Sequence, residues 1–217
     1  MKKISYLFLC LCLFYVSCST LTGCGRRAKP TAADSVQAIY DLYILGDTEG
    51  VSRLGLTSTD IVNARTAYDN ALADSIRTNF SASGLEIDEE SVTAICQARR
   101  EALSRMRAEC SVVSEHRDTA EVLLITTYFD EQALDADAAY AARDAANQAD
   151  LNDYQEYMEY VMASYTEYLI QGYQDVLPSE DMAAVTVPCI IIDNVWMPAD
   201  MSSFGGDLAL AISGQTP

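Results

Sequence analysis

Apolar and polar positions recur along this chain with distinct periods, and each period predicts an element. Val36, Ile39, Tyr40 and Tyr43 share one face at helical spacing, which predicts a first helix from about Asp34 to Leu45, stopped by Gly46. The following "GDTEGVSRLGLTST" reads as a turn-rich connection. Ala64, Tyr68, Leu72, Ile76 and Phe80 then recur every fourth residue, predicting a second helix from about Thr59 to Gly84 that buries this stripe. A third helix opens on Asp88, Glu89 and Glu90, whose charges suit the positive end of a helix dipole. It runs to about Arg107, with Val92, Ile95, Cys96, Leu103 and Met106 on its apolar face.

The pattern then changes. "ECSVVSEH" and "TAEVLLITTYF" are rich in branched and aromatic residues, and the Arg117-Asp118 corner between them predicts an antiparallel hairpin. "DMAAVTVPCIII" resumes the strand pattern later, with Pro188 pointing to an edge or a bulge. Asp193 and Asn194 tolerate left-handed geometry and make a short turn, after which "VWMP" returns beside the preceding strand. A short helix from about Asp207 to Ile212 closes the chain.

Between these strands lies Asp130 to Leu177, alanine-rich at first and tyrosine-rich afterwards. As one helix it would extend about 70 Å at about 1.5 Å per residue. A compact chain of this size has a diameter of roughly 40 Å. The polar run Asn147 to Asp153 therefore predicts a break that leaves two helices packed on each other or over the sheet. In the second of them, Tyr154, Met158, Val161, Tyr165 and Tyr168 follow a buried-face rhythm. Tyr157, Tyr160 and Tyr173 fall off that line and are the candidate ligand-facing aromatics, because an aromatic ring with a hydroxyl tip makes a good binding platform.

The first residues form a different kind of segment. Lys2 and Lys3 precede an apolar run from Ile4 to Val16, which has the length of a secretory signal core and falls short of the roughly 20 residues of a membrane span. The run ends in Leu21-Thr22-Gly23-Cys24, an aliphatic residue, two small ones and a cysteine. That tetrapeptide resembles the bacterial lipoprotein signal, and the resemblance implies that Cys24 is lipidated on sulfur and becomes the new N-terminus. The chain then divides into a signal peptide (1–23), a tether (24–32) and a single α+β domain (33–217). Acyl chains contribute about 0.8 kcal/mol per buried methylene, so two or three of them hold a protein on a bilayer, here on its outer side. Later apolar stretches such as Met182 to Ile192 are strand-sized.

Charge and cysteine content narrow the functional classes. The chain carries 14 basic and 32 acidic residues, and from Asp118 onward Arg143 is its one basic residue. Nucleic acid is excluded as a partner of so anionic a surface, while a protein, a peptide or a cationic ligand stays compatible with it. Of the 7 cysteines, Cys10, Cys12 and Cys18 leave with the signal and Cys24 takes lipid, so Cys96, Cys110 and Cys189 remain. An odd number permits at most one bridge within the chain, and the apolar setting of Cys96 favours three buried, unpaired thiols.

His116 is the sole histidine, and no nucleophile elbow, zinc-protease, phosphate-loop or dinucleotide fingerprint is present. Asp135 and Asp137 begin a calcium-loop pattern that fails at Tyr140, where glycine is needed. No metal, cofactor or catalytic residue is implied. Arg99, Arg100, Arg105 and Arg107 form a basic group suited to pairing with the acidic half of the chain.

The order of these segments, with "AIYDLYILGD" in the first helix and "DNVWMPAD" near the end, is similar to a group of Gram-positive lipoproteins carrying a domain of unknown function. More loosely it resembles the nuclear-transport-factor-2-like α+β cone. The local markers are Tyr40, Gly46, Asp47 and Trp196, and Asn194 departs from the glycine usual in that group. The expected fold is α+β, with N-terminal helices, an antiparallel sheet of about four strands and a long helical segment inserted between strands. The expected function is a lipid-anchored extracytoplasmic binding module. The alternative is a cell-envelope hydrolase using Asp or Glu carboxylates.

Overall fold

The computed structural model describes residues 29–82 and 84–215. The signal segment, most of the tether and Cys24 lie outside the described residues. Helix α1 (Ala32–Tyr40) starts at a reciprocal cap, in which Thr31 Oγ1 accepts from the Asp34 amide at 3.1 Å and Asp34 accepts from the Thr31 amide at 2.8 Å. One π-helical turn, Asp41–Leu45, continues it to Gly46, whose φ of 76° needs no Cβ to be accommodated. The widened turn leaves carbonyls without helical partners, and Arg65 donates to two of them, Leu42 O at 2.7 Å and Tyr43 O at 3.2 Å.

The connection expected to be turns contains a short helix, α2 (Glu49–Arg53). Its Gly50 approaches α1 so closely that an added Cβ would stand 2.8 Å from Ala38 Cβ. Next come α3 (Ser58–Ala82) and α4 (Glu89–Leu103), the latter capped by Asp88. The predicted α3 stripe is only partly buried: Leu72 and Phe80 are covered, whereas Ala64, Tyr68 and Ile76 are half-covered. The helix lies at the margin of the bundle, with one neighbour along most of its length instead of two.

Strands β1 (Ala108–Glu115), β2 (Thr119–Thr127), β3 (Met182–Ile192) and β4 (Val195–Pro198) form one antiparallel sheet in that order. Its register places Cys110 opposite Leu124, Leu124 opposite Val185 and Ile191 opposite Trp196. Alternate residues therefore share a face. One face, with Val122, Leu124, Val185, Val187 and Cys189, is buried under α1 and under α7 (Met201–Ile212). There the Tyr40 hydroxyl meets Thr126 Oγ1 at 2.8 Å. A fully buried side chain such as Leu124 contributes about 1.5–3 kcal/mol by leaving water.

Pro188 sits within an interior strand, yet its position follows the expected logic. Its carbonyl faces outward and accepts from the Ala199 amide at 2.8 Å, just past the end of β4 at Pro198. The ring nitrogen faces the same side and forgoes only the reciprocal bond to Ala199, which is where the pairing with β4 stops. The last helix is longer than expected. It begins at Met201, because Asp200 accepts from the amides of Ser202 and Ser203 and so caps a turn whose residues read as loop formers.

The segment between β2 and β3 is the predicted pair of helices, α5 (Glu131–Gln148) and α6 (Tyr154–Asp175), broken at the predicted polar run. Asp130 and Asp153 cap them. They pack on each other, and α6 also packs on α4, so the hairpin extends from the sheet without lying on it.

Candidate functional site

A buried charge with its partners lies where α3, α4, α5 and α6 meet. Arg99 of α4 is 4% exposed, and its Nε donates to Glu131 of α5 at 2.8 Å. Its Nη1 donates to the Tyr68 hydroxyl at 3.4 Å. Burial alone would depress the guanidinium's pKa, but the adjoining Glu131 carboxylate and the tyrosine hydroxyls outweigh it and hold the value up. Tyr173 and Tyr165 of α6 border the same group. Burial raises both phenols, and Asp135, bonded to the Tyr165 hydroxyl, raises that one further. Tyr165 and Tyr173 stay neutral, and the arginine is already paired, so the cluster joins four helices.

Many of the abundant carboxylates have structural partners. Asp34, Asp60, Asp88, Asp130, Asp153 and Asp200 each bond a backbone amide at the start of a helix. Hydrogen bonds to the charged form, from the Thr57 hydroxyl and amide at Asp60 and from amides and a serine hydroxyl at Asp88 and Asp200, hold these three below the usual carboxylate range. Asp41 is the exception: burial raises it, the Gln37 amide at 2.8 Å opposes, and Asp47 adds to the rise. Among the described residues no group of three or more His, Cys, Asp or Glu side chains is placed to hold a metal ion.

Cys96, Cys110 and Cys189 are unpaired, as expected, but only Cys96 and Cys189 are buried, while Cys110 on β1 is half-buried. Burial pushes Cys189 up to about 11 and Cys110 to about 12, so neither presents a thiolate near neutral pH. His116 lies exposed in the β1–β2 turn, away from Cys110. The arginine group predicted from sequence is divided. Arg99 is buried, Arg100 meets Asp69 at 3.2 Å, and Arg105 donates to the Tyr173 and Gln174 carbonyls at the end of α6.

The tyrosines separate differently from the sequence rhythm. Tyr173, expected to face a ligand, is 7% exposed and stands edge-on to Phe129, with ring centroids 6.2 Å apart. Tyr154, expected to be buried, is 76% exposed. The reason is that only the C-terminal part of α6 lies against α4, while its N-terminal part has α5 alone for a neighbour. Tyr160 is exposed as expected, and Tyr157 is half-buried, its hydroxyl donating to Asn147 at 3.4 Å.

Tyr140 of α5 joins the exposed set, with the Arg143 guanidinium over its ring at 5.8 Å. Its exposure had a sequence signal, since Ala138, Ala142 and Ala146 form the buried stripe and Tyr140 lies off it. The projecting end of the hairpin thus carries Tyr140, Tyr154 and Tyr160 among Asp144, Asp150, Asp153, Glu156 and Glu159. Cys24, the predicted lipidation site, lies outside the described residues. No described helix is long and apolar enough to cross a membrane.

No protein-family model and no curated protein matches the chain. Among solved structures, the fold is similar to a candidate lipoprotein, YcdA, of Bacillus subtilis, with 20% sequence identity and a TM-score of 0.59. The similarity covers 83% of this chain and 55% of that one, so it spans little more than half of the neighbour's length. What the two share is the α+β fold; neither the ligand nor the looser resemblance to a nuclear-transport-factor-2-like cone gains support from it.

Proposed function

We propose that this chain is a lipid-anchored extracytoplasmic binding module that offers the projecting end of the α5–α6 hairpin to a protein or peptide with a basic surface. The observation that carries the binding surface is the exposure of Tyr140, Tyr154 and Tyr160, at 66%, 76% and 40%, on α5 and α6. Exposed aromatics with polar tips are the residues enriched at protein interfaces, and the surrounding carboxylates select a cationic partner. The Leu21-Thr22-Gly23-Cys24 signal supports the anchor, and a fold shared with a candidate lipoprotein agrees with it. The cap role of so many carboxylates weighs against the envelope hydrolase, for which the half-buried Asp41 is the one favourable observation.

Recovery of the chain from its own membrane tests both parts. Cys24→Ala should move the protein to the soluble fraction; if it stays wholly with the membrane, the anchor reading is wrong. The Tyr154→Ala/Tyr160→Ala variant should fold normally and lose partners that the unaltered chain retains. Retention of every partner by that variant removes the hairpin as the binding surface.

A further inference from the structure

Lys29, the first described residue, is tied to the sheet: its Nζ donates to Asn194 Oδ1 at 2.8 Å, in the turn between β3 and β4. The β1–β2 turn reaches the same end, since the Ile191 amide bonds the Asp118 carbonyl at 3.4 Å. Cys24 precedes Lys29 by so few residues that, fully extended, the connection reaches at most about 18 Å. A lipid on Cys24 would therefore hold this end of the sheet within one short tether of the bilayer.

The chemistry of that end suits the location. Ile191 and Ile192 are 40% and 49% exposed at the tip of β3, and Arg117 and His116 stand exposed in the neighbouring turn. Among the described residues Lys29 and Arg117 stand against Glu115, Asp118 and Asp193 at this end, a near balance, and Arg26 and Arg27 lie between Cys24 and Lys29 in the sequence. This balance contrasts with the chain's overall formal charge of −18. The helical hairpin, crowded with carboxylates, joins the sheet at the opposite end, where β1 begins and β2 finishes. An anionic bilayer attracts basic groups and repels the carboxylate-rich hairpin, so it orients the molecule.

We propose that the two-turn end of the sheet, with Ile191, Ile192, Arg117 and Lys29, rests on the anionic membrane surface and directs the α5–α6 hairpin away from it. This rests on the lipidation of Cys24.

Trp196 is the one tryptophan of the chain and pairs with Ile191, which makes it a native reporter of this end. The lipidated chain is mixed with vesicles of phosphatidylglycerol and phosphatidylethanolamine carrying a nitroxide at headgroup depth. The expected result is sedimentation with the vesicles and loss of most Trp196 emission relative to nitroxide-free vesicles. The Arg117→Glu/Ile192→Asp variant, altered at exposed positions, should still sediment and should recover emission. Sedimentation with undiminished emission overturns the orientation and leaves the anchor standing. Failure to sediment overturns the anchor, and the orientation with it.

Discussion

Arg99 keeps its charge inside the helical bundle because Glu131 is 2.8 Å away and the Tyr68 hydroxyl completes the contact. Such a pair is asymmetric: together the charges cost little, but one left alone in low dielectric is expensive. Glu131→Ala should lower the unfolding free energy by about 3 kcal/mol in urea denaturation, whereas a change within experimental scatter would mean that Arg99 finds another partner. Asp41 makes the opposite case. Its folded pKa is raised above the ordinary value of 3.8 by burial, less the Gln37 bond and plus the repulsion of Asp47. The folded state therefore holds this proton more tightly than the unfolded state. The benefit is full below pH 3.8 and is lost as pH rises through the folded pKa, so the ionised group destabilises at neutrality. Asp41→Asn, which still accepts from Gln37, should melt higher than the parent at pH 7 and converge with it below pH 3.8.

At the scale of elements, the short α2 is held by contact and not by its own propensity, since a helix of 5 residues does not persist alone in water. Gly50 lets it lie on α1, and a methyl group there meets Ala38 Cβ at 2.8 Å. Gly50→Ala should cost about 1–3 kcal/mol by overpacking, and Ala38→Gly in the same chain should restore part of the loss. Most element positions were legible because period and caps agreed. Asp88, Asp130 and Asp153 mark starts, and Gly46 marks a stop. The helices that escaped the pattern, α2 and the first part of α7, carry glycine or serine where a helix former is expected, and they fold on contacts from elsewhere in the chain.

For the whole molecule, the distribution of charge matters more than any pair. A formal charge of −18 makes the compact state repel itself, most of all along α5 and α6, where few cations stand opposite the carboxylates. Raising salt from about 0.01 M to about 1 M, where the screening length falls from about 30 to about 3 Å, should raise the melting temperature. Hydrogen exchange in α5 and in the N-terminal half of α6 should slow more than in the sheet. A melting temperature that falls or stays level would show that attractive pairs such as Arg99 with Glu131 outweigh the repulsion.

The sequence alone determined what depends on near neighbours in the chain: the α+β class, the hairpins and the helix break within Asn147 to Asp153. These follow from backbone geometry and side-chain period, which act over a few residues. Tertiary structure decided what depends on distant partners. It placed Tyr173, which falls off the buried rhythm of α6, against Phe129, and left Tyr154, which follows that rhythm, in the open. Periodicity defines which side of a helix is apolar, but how far along that side another element reaches is set only when α4 and α6 pack. The same holds for Arg99, whose buried charge became tolerable once the fold brought Glu131 to it.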